Sequence, residues 1–212
     1  MKKNKSRCTV FIDGSNFYFK LKELGFRNLL EFNFSGFVKM LAGKDKIMSA
    51  TYYVGKIRTD GTKQTKKLFD AQQKLLGKLR QYKIRYALGY LMKTDGKYHE
   101  KGVDVNIAVD LLVATYENLS DRLILVSSDT DLLPAIAKAK EKGKFVEYVG
   151  FSHKPSVALV ATCLASRLLT KEDLEKFSVK KREVRKQKKA CEDLTVSQAI
   201  LVSLLYHKEN NL

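Results

Sequence analysis

Two kinds of hydrophobic pattern alternate along the chain. Short apolar runs predict strands of a parallel sheet, which are covered on both faces; they lie at 8–12, 47–54, 84–91, 123–126, 144–149 and, as a short edge strand, 167–169. Longer runs with apolar residues three or four positions apart predict helices at 16–25, 33–42, 64–82, 102–116, about 130–142 and 156–163. This alternation predicts a three-layer α/β domain with a mainly parallel central sheet over residues 7–170.

The chain changes character after Thr170. Residues 176–189 contain eight Lys or Arg and one acid, which predicts a solvated basic helix or linker. Residues 194–206 carry apolar side chains at helical spacing, including Val196, Ile200 and Leu204. We expect 171–212 to be a basic helical extension. Its amphipathic part, 190–212, is expected to pack on the domain, on a second copy as a homodimer, or on a protein partner.

The net charge of the chain indicates which kind of partner it binds. The 212 residues carry a net charge of +17, and such an excess favours a polyanion, most simply RNA or another nucleic acid. A generally basic proteome or a solubilising tail are the alternative explanations.

The composition argues against disulfide-rich, zinc-binding, secreted and membrane-spanning proteins. The three cysteines are an odd number without a close pair, which argues against a disulfide framework and for a reducing compartment. The absence of a Cys-x-x-Cys pair and the wide spacing of the three histidines argue against zinc. No apolar run has the length of a signal-peptide core or of a membrane span. We therefore expect a cytoplasmic protein without a membrane partner.

Acidic residues occur where predicted strands give way to helices. Asp13 ends the first strand, Asp129 and Asp131 follow the fourth, and Asp104 opens the helix before the fourth. Because the carboxyl ends of parallel strands border the ligand crevice of an open sheet, we expect these four acids to share a pocket. Ordinary structural roles are the alternatives, such as a helix cap for Asp131 or turn chemistry for Asp13.

A pocket of four carboxylates needs a counter-charge. At about 4 Å, two carboxylates repel by about 4 kcal/mol at an effective dielectric constant near 20, which is large beside a net stability of about 5–15 kcal/mol. Either some of the acids are protonated or a divalent cation neutralises them. Oxygen ligands without His or Cys suit Mg²⁺ or Mn²⁺, and such an ion can activate water for in-line attack on a phosphodiester.

Polar neighbours of these acids are candidates for supporting roles. We expect Asn16, Ser128 and Lys101 to contact the substrate, with Asn16 one turn from Asp13. A first-turn polar residue and a solvated lysine are the ordinary alternatives for Asn16 and Lys101. Asp110 lies six residues after Asp104, about 120° around the helix and roughly 9 Å along it. We therefore expect Asp110 to contact the metal ligands or to be structural, with direct binding of the ion as the alternative.

Three motifs occur in order along the chain: Phe11-Ile12-Asp13-Gly14-Ser15-Asn16, Lys101-Gly102-Val103-Asp104-Val105 with Asp110, and Ser127-Ser128-Asp129-Thr130-Asp131-Leu132-Leu133-Pro134. Together they resemble the NYN domain, in the LabA-like branch of the PIN-like nuclease superfamily. The resemblance covers about residues 7–170. It implies a PIN-like, Rossmann-like fold, an acidic Mg²⁺ or Mn²⁺ pocket, and ribonuclease activity or RNA processing. By position it makes Asp13, Asp104, Asp129 and Asp131 the catalytic and metal-binding residues, while Ser128 stands where many members have Gly.

The resulting hypothesis is a metal-dependent ribonuclease that cleaves RNA with water activated at the acidic pocket. The alternative is an RNA-binding or regulatory module without significant turnover. A phosphatase of the haloacid dehalogenase type is disfavoured, because its Asp-x-Asp motif belongs on the first strand and Asp129 and Asp131 follow the fourth.

Overall fold

A computed structural model of the protein describes residues 5–26, 28–94 and 97–178. The amphipathic segment predicted at 190–212 and nearly all of the basic stretch before it lie outside the described residues. Within the described part, no helix is long and apolar enough to cross a membrane.

The strands form one sheet. Their bounds are β1 Arg7–Asp13, β2 Lys46–Gly55, β3 Arg85–Thr94, β4 Lys97–Lys101, β5 Arg122–Val126, β6 Phe145–Phe151 and β7 Ala165–Leu169. Their order across the sheet is β4-β3-β2-β1-β5-β6-β7. Every neighbouring pair is parallel except β3 and β4, which are antiparallel. The predicted α/β fold with a mainly parallel sheet is confirmed.

Helices cover both faces of this sheet. Their bounds are α1 Gly14–Glu23, α2 Phe34–Ala42, α3 Lys63–Gln81, α4 Val103–Tyr116, α5 Leu133–Glu141, α6 Val157–Thr162 and α7 Lys171–Glu175. Alternate residues of each strand point to opposite faces, so β1 serves two hydrophobic cores. Val10 and Ile12 pack with α1, α2 and α3, whereas Phe11 packs with α4, α5 and α6.

The sequence pattern did not predict β4. It predicted that the third strand would end at residue 91 and give way to a polar turn, but β3 continues to Thr94 and pairs with β4. Four of the five residues of β4, Lys97–Lys101, are Lys, His or Glu, so the segment has no apolar pattern of its own. Its strand conformation depends on pairing with β3.

The order of the strands sets the position of the site. From β1 the chain proceeds through β2 and β3 on one side, whereas β5, β6 and β7 lie on the other side. The connection that leaves the carboxyl end of β1 therefore leads to one side of the sheet, and the connection that leaves the adjacent end of β5 leads to the other side. In open α/β sheets, this topological switch point is where ligands bind.

Candidate active site

Asp13 is buried at the switch point. It is the last residue of β1, only 4% exposed, and it also caps α1 by accepting a 3.0 Å hydrogen bond from the Asn16 backbone N–H. Its second carboxylate oxygen accepts a 2.8 Å hydrogen bond from the Ser127 hydroxyl. Both oxygens of this buried carboxylate are thus held in fixed directions.

Gly14 allows the chain to turn directly after Asp13. A Cβ at Gly14 would lie 2.6 Å from the carbonyl oxygen of Tyr53 and would also clash with the Tyr52 ring. The Tyr52 hydroxyl donates a 3.1 Å hydrogen bond to the Gly14 carbonyl oxygen. Close packing against β2 therefore fixes the start of α1, and with it the position of Asp13.

Ser127 connects Asp13 to the acidic turn after β5. Its hydroxyl oxygen accepts a 3.1 Å hydrogen bond from the Asp129 backbone N–H while it donates to Asp13. The Asp129 carboxylate in turn accepts a 2.9 Å hydrogen bond from the Asp131 backbone N–H and caps the 3-10 turn Thr130–Leu132. The capping role considered for Asp131 therefore belongs to Asp129. Asp131 is exposed to solvent, and Pro134 lies in the first turn of α5.

Asn16 carries a buried acceptor without a partner. Its side-chain oxygen is buried and makes no hydrogen bond to any described residue. An unsatisfied buried acceptor costs about 1–3 kcal/mol, which a cation or a donor group would recover. The side-chain oxygen of Asn16 is therefore a candidate ligand atom in a residue whose backbone N–H bonds Asp13.

Asp104 and Lys101 flank the start of α4. Gly102 has a left-handed φ of 82° and is the N-cap residue of α4, without a side-chain cap bond. Asp104 is half-buried and lies in the first turn of α4. The partial positive charge at a helix N-terminus favours an acidic side chain at this position. Lys101 is exposed at the end of β4.

Asp110 is held by β2. Its carboxylate accepts a 2.8 Å hydrogen bond from the Tyr53 hydroxyl. Burial raises the pKa of Tyr53, and the hydrogen bond to Asp110 raises it further, so Tyr53 stays protonated as the donor. This contact ties α4 to the strand beside β1. It gives Asp110 a structural contact, and support of the metal ligands by Asp110 stays a prediction.

The Ser128 hydroxyl contacts the protein rather than the pocket acids. It lies 3.2 Å from the Tyr148 hydroxyl, which also accepts a 3.0 Å hydrogen bond from the Ser156 backbone N–H. A Cβ at Gly150 would clash with Tyr148, so glycine at this position lets the tyrosine lie along β6. The substrate contact expected of Ser128 stays a prediction.

The donor chemistry at the switch point suits a hard divalent cation. Among residues 5–178 as far as they are described, no group of three or more His, Cys, Asp or Glu side chains is arranged to hold a metal ion. Mg²⁺, however, is usually bound by one or two carboxylates together with waters and substrate phosphates. Asp13 and the unpartnered oxygen of Asn16 supply oxygen donors for such a site.

Comparison with known proteins identifies the domain family and the fold. The NYN domain matches residues 7–167. A stretch of 57 residues is 44% identical to an uncharacterized protein of Methanocaldococcus jannaschii and spans 27% of this chain and 24% of that relative. The match thus covers about a quarter of the relative's length. The structure of a protein of unknown function from Vibrio parahaemolyticus shares the fold with a TM-score of 0.62 at 23% identity, covering 80% of this chain and 96% of that one.

Proposed function

We propose that this chain, which belongs to the NYN domain family, is a ribonuclease of the LabA-like branch that hydrolyses RNA phosphodiester bonds with Mg²⁺ or Mn²⁺. The family itself indicates a nuclease-like, RNA-related function. The observation that carries the proposal is the Ser127 hydroxyl, which bonds both Asp13 and the turn of Asp129 at the switch point of the sheet.

In this proposal, Asp13, Asn16 and Asp129 hold the cation, and Asp104 and Asp131 complete the acidic pocket. When bound, the ion lowers the pKa of a coordinated water and offsets the charge that develops on the phosphate. Ser127 keeps the Asp13 carboxylate in one orientation. The Asn16 backbone N–H, in the first turn of α1, fixes the other oxygen of that carboxylate.

The positive charge of the rest of the chain complements this pocket. An acidic pocket alone would repel RNA, whereas the net charge of +17 attracts it over a long range. Lys101, exposed beside the first turn of α4, is the lysine that we assign to a substrate phosphate near the pocket.

The decisive experiment compares wild type with Asp13→Asn and Asp129→Asn in cleavage assays on single- and double-stranded RNA, with Mg²⁺, Mn²⁺ or excess EDTA. Both variants should lose metal-dependent cleavage and retain RNA binding close to wild type, because each keeps the size of the side chain and removes its charge. Asp70→Asn, an exposed acid on α3, is the matched control and should cleave normally.

Two outcomes would contradict the proposal. Cleavage that persists in EDTA, or in both variants, would rule out the metal-dependent mechanism. RNA binding by the wild type without cleavage in either metal would favour the alternative of an RNA-binding or regulatory NYN module.

A further inference from the structure

The hairpin of β3 and β4 extends past the carboxyl edge of the parallel sheet. The pairing of β3 with β2 ends at Gly89 opposite Gly55, whereas its pairing with β4 continues from Tyr90 opposite Lys101 to Thr94 opposite Lys97. Five further residues of strand add roughly 15 Å. Because β3 is two strands from β1, the hairpin stands about 10 Å to one side of the strand that ends in Asp13.

Tyr90, at the base of this hairpin, is an aromatic side chain that is 52% exposed. Its ring packs on the backbone of Gly102, where a Cβ would lie 3.0 Å from the ring carbon Cε1. Gly102 is the N-cap residue of α4, so the ring lies at the start of the helix whose first turn carries Asp104. One side of the ring is therefore supported by protein, and much of the rest is open to solvent.

The base of the hairpin is tightly packed. A Cβ at Gly89 would lie 2.7 Å from both the Lys101 carbonyl oxygen and a Val103 methyl carbon. The Lys56 backbone N–H also donates a 3.1 Å hydrogen bond to the Gly89 carbonyl oxygen. Strand β3, the loop after β2 and the start of α4 thus meet closely, and they hold Tyr90 in place relative to the pocket.

Cationic residues occur in the segments next to Tyr90. Lys101 is the cross-strand partner of Tyr90, and its side chain is exposed. Lys56 and Arg58 are exposed in the loop after β2, at the same edge of the sheet. An exposed aromatic ring among cations is the combination with which proteins bind unpaired nucleotides, through base stacking and phosphate contacts.

We propose that Tyr90 is a stacking platform for an unpaired base, with Lys56, Arg58 and Lys101 holding the flanking phosphates. The polymer that reaches the acidic pocket is then single-stranded RNA, because bases within a duplex stack on one another and leave no free face for a protein ring. The identity of the polymer as RNA rests on the proposed function, whereas the stacking contact does not depend on catalysis.

The test measures binding without cleavage. Fluorescence anisotropy in excess EDTA follows a labelled oligouridylate of about 12 nucleotides bound to wild type, Tyr90→Leu and Tyr90→Phe. Tyr90→Leu should bind about tenfold more weakly, which is the usual loss when one base loses its stacking partner. Tyr90→Phe keeps the ring and should bind within about twofold of wild type.

The matched control is Tyr116→Leu. Tyr116 is 57% exposed and has the Lys142 ammonium 5.2 Å from its ring centroid, so it also combines an open ring with a cation. It lies at the far end of α4, about 20 Å along the helix from Gly102. Tyr116→Leu should bind the oligonucleotide like wild type.

Two further measurements separate stacking from charge. Removing bases from the oligonucleotide should weaken binding to the wild type and abolish the difference between wild type and Tyr90→Leu. The salt dependence is the slope of the logarithm of the binding constant against the logarithm of the salt concentration. Lys101→Gln should reduce the size of this slope by about one, and Tyr90→Leu should leave it unchanged.

The stacking proposal is overturned if Tyr90→Leu binds single-stranded RNA like wild type, or if duplex RNA of the same length shows an equal loss. Since all these measurements exclude divalent cations, a failure of the metal-dependent mechanism would leave them interpretable. Conversely, normal binding by Tyr90→Leu would leave the cleavage tests on Asp13 and Asp129 unaffected.

Discussion

The Ser127 hydroxyl donates a 2.8 Å hydrogen bond to Asp13 across two adjacent parallel strands, although the two residues are 114 positions apart in sequence. The same hydroxyl accepts the Asp129 backbone N–H at 3.1 Å. A single side chain therefore sets the orientation of the buried carboxylate and the path of the acidic turn.

We predict that Ser127→Ala lowers the free energy of unfolding by about 1–3 kcal/mol, because it leaves a buried carboxylate oxygen without this donor. Metal-dependent cleavage should fall more than RNA binding, since Asp13 loses its fixed direction. Urea unfolding, cleavage rates and anisotropy measure the three effects. Ser166→Ala is the control, because Ser166 is an exposed serine on the edge strand β7, three strands from the one that ends in Asp13. Wild-type cleavage by Ser127→Ala would show that Asp13 does not need this bond.

Gly14→Ala should destabilise the protein and reduce cleavage, because its Cβ would lie 2.6 Å from the Tyr53 carbonyl oxygen and push α1 away from β2. Overpacking of this kind costs about 1–3 kcal/mol. Gly77→Ala is the matched control: Gly77 lies within α3 and its Cβ would meet nothing within 4 Å. That variant should gain up to about 1 kcal/mol from helix propensity. Thermal unfolding distinguishes them, and equal melting temperatures would contradict the packing argument.

Glu147→Ala should be among the most destabilising changes distant from the pocket. The Glu147 side chain is 5% exposed and pairs with Arg122 and Arg167. Its removal leaves two half-buried guanidinium groups without this partner, at a cost of about 3–5 kcal/mol in urea unfolding. Glu141→Ala, whose side chain is 61% exposed, removes a surface pair with Lys138 and should change stability by less than about 1 kcal/mol. Similar losses in the two variants would show that the buried cluster contributes no more than a surface pair.

Asp121→Asn should reduce the loss of folding stability that the wild-type protein shows as the pH falls. Hydrogen bonds from Arg7 lower the pKa of Asp121 to about 2, below the value of about 3.9 for an unfolded chain. A lowered pKa in the folded state means that this stabilisation is present above pH about 4 and is lost as the pH falls toward 2. The contribution is small because the side chain is largely exposed. Denaturant unfolding between pH 7 and pH 2 measures it, and identical acid slopes for variant and wild type would refute it.

Much of the fold follows from local patterning. The strands of the parallel sheet are apolar enough to be recognised individually, and the amphipathic helices between them imply parallel connections. Asp13 and Asp129 are recognisable because each follows such a strand. By contrast, β4 has no apolar pattern, so only its pairing with β3 reveals it.

The details of the site depend on register between distant segments. Asp13 caps α1, and Asp129 caps the turn before α5. Backbone geometry determines both caps, and the spacing of residues in the sequence does not predict it. Ser127 and Ser128 are equivalent as sequence letters, yet only the first reaches Asp13 in the structure. Tyr90 could have been noticed as an aromatic residue near Lys101, but its exposure follows from the hairpin.

The switch in strand order also has a consequence during protein synthesis. Asp13 leaves the ribosome with the first strand, but its partner Ser127 lies 114 residues later. A nascent chain that ends before β5 can pair β1 with β2, yet it lacks the hydroxyl that orients Asp13 and the whole acidic turn. The contact between Asp13 and Ser127 can therefore form only once β5 and the turn after it have been translated, long after β1 has left the ribosome.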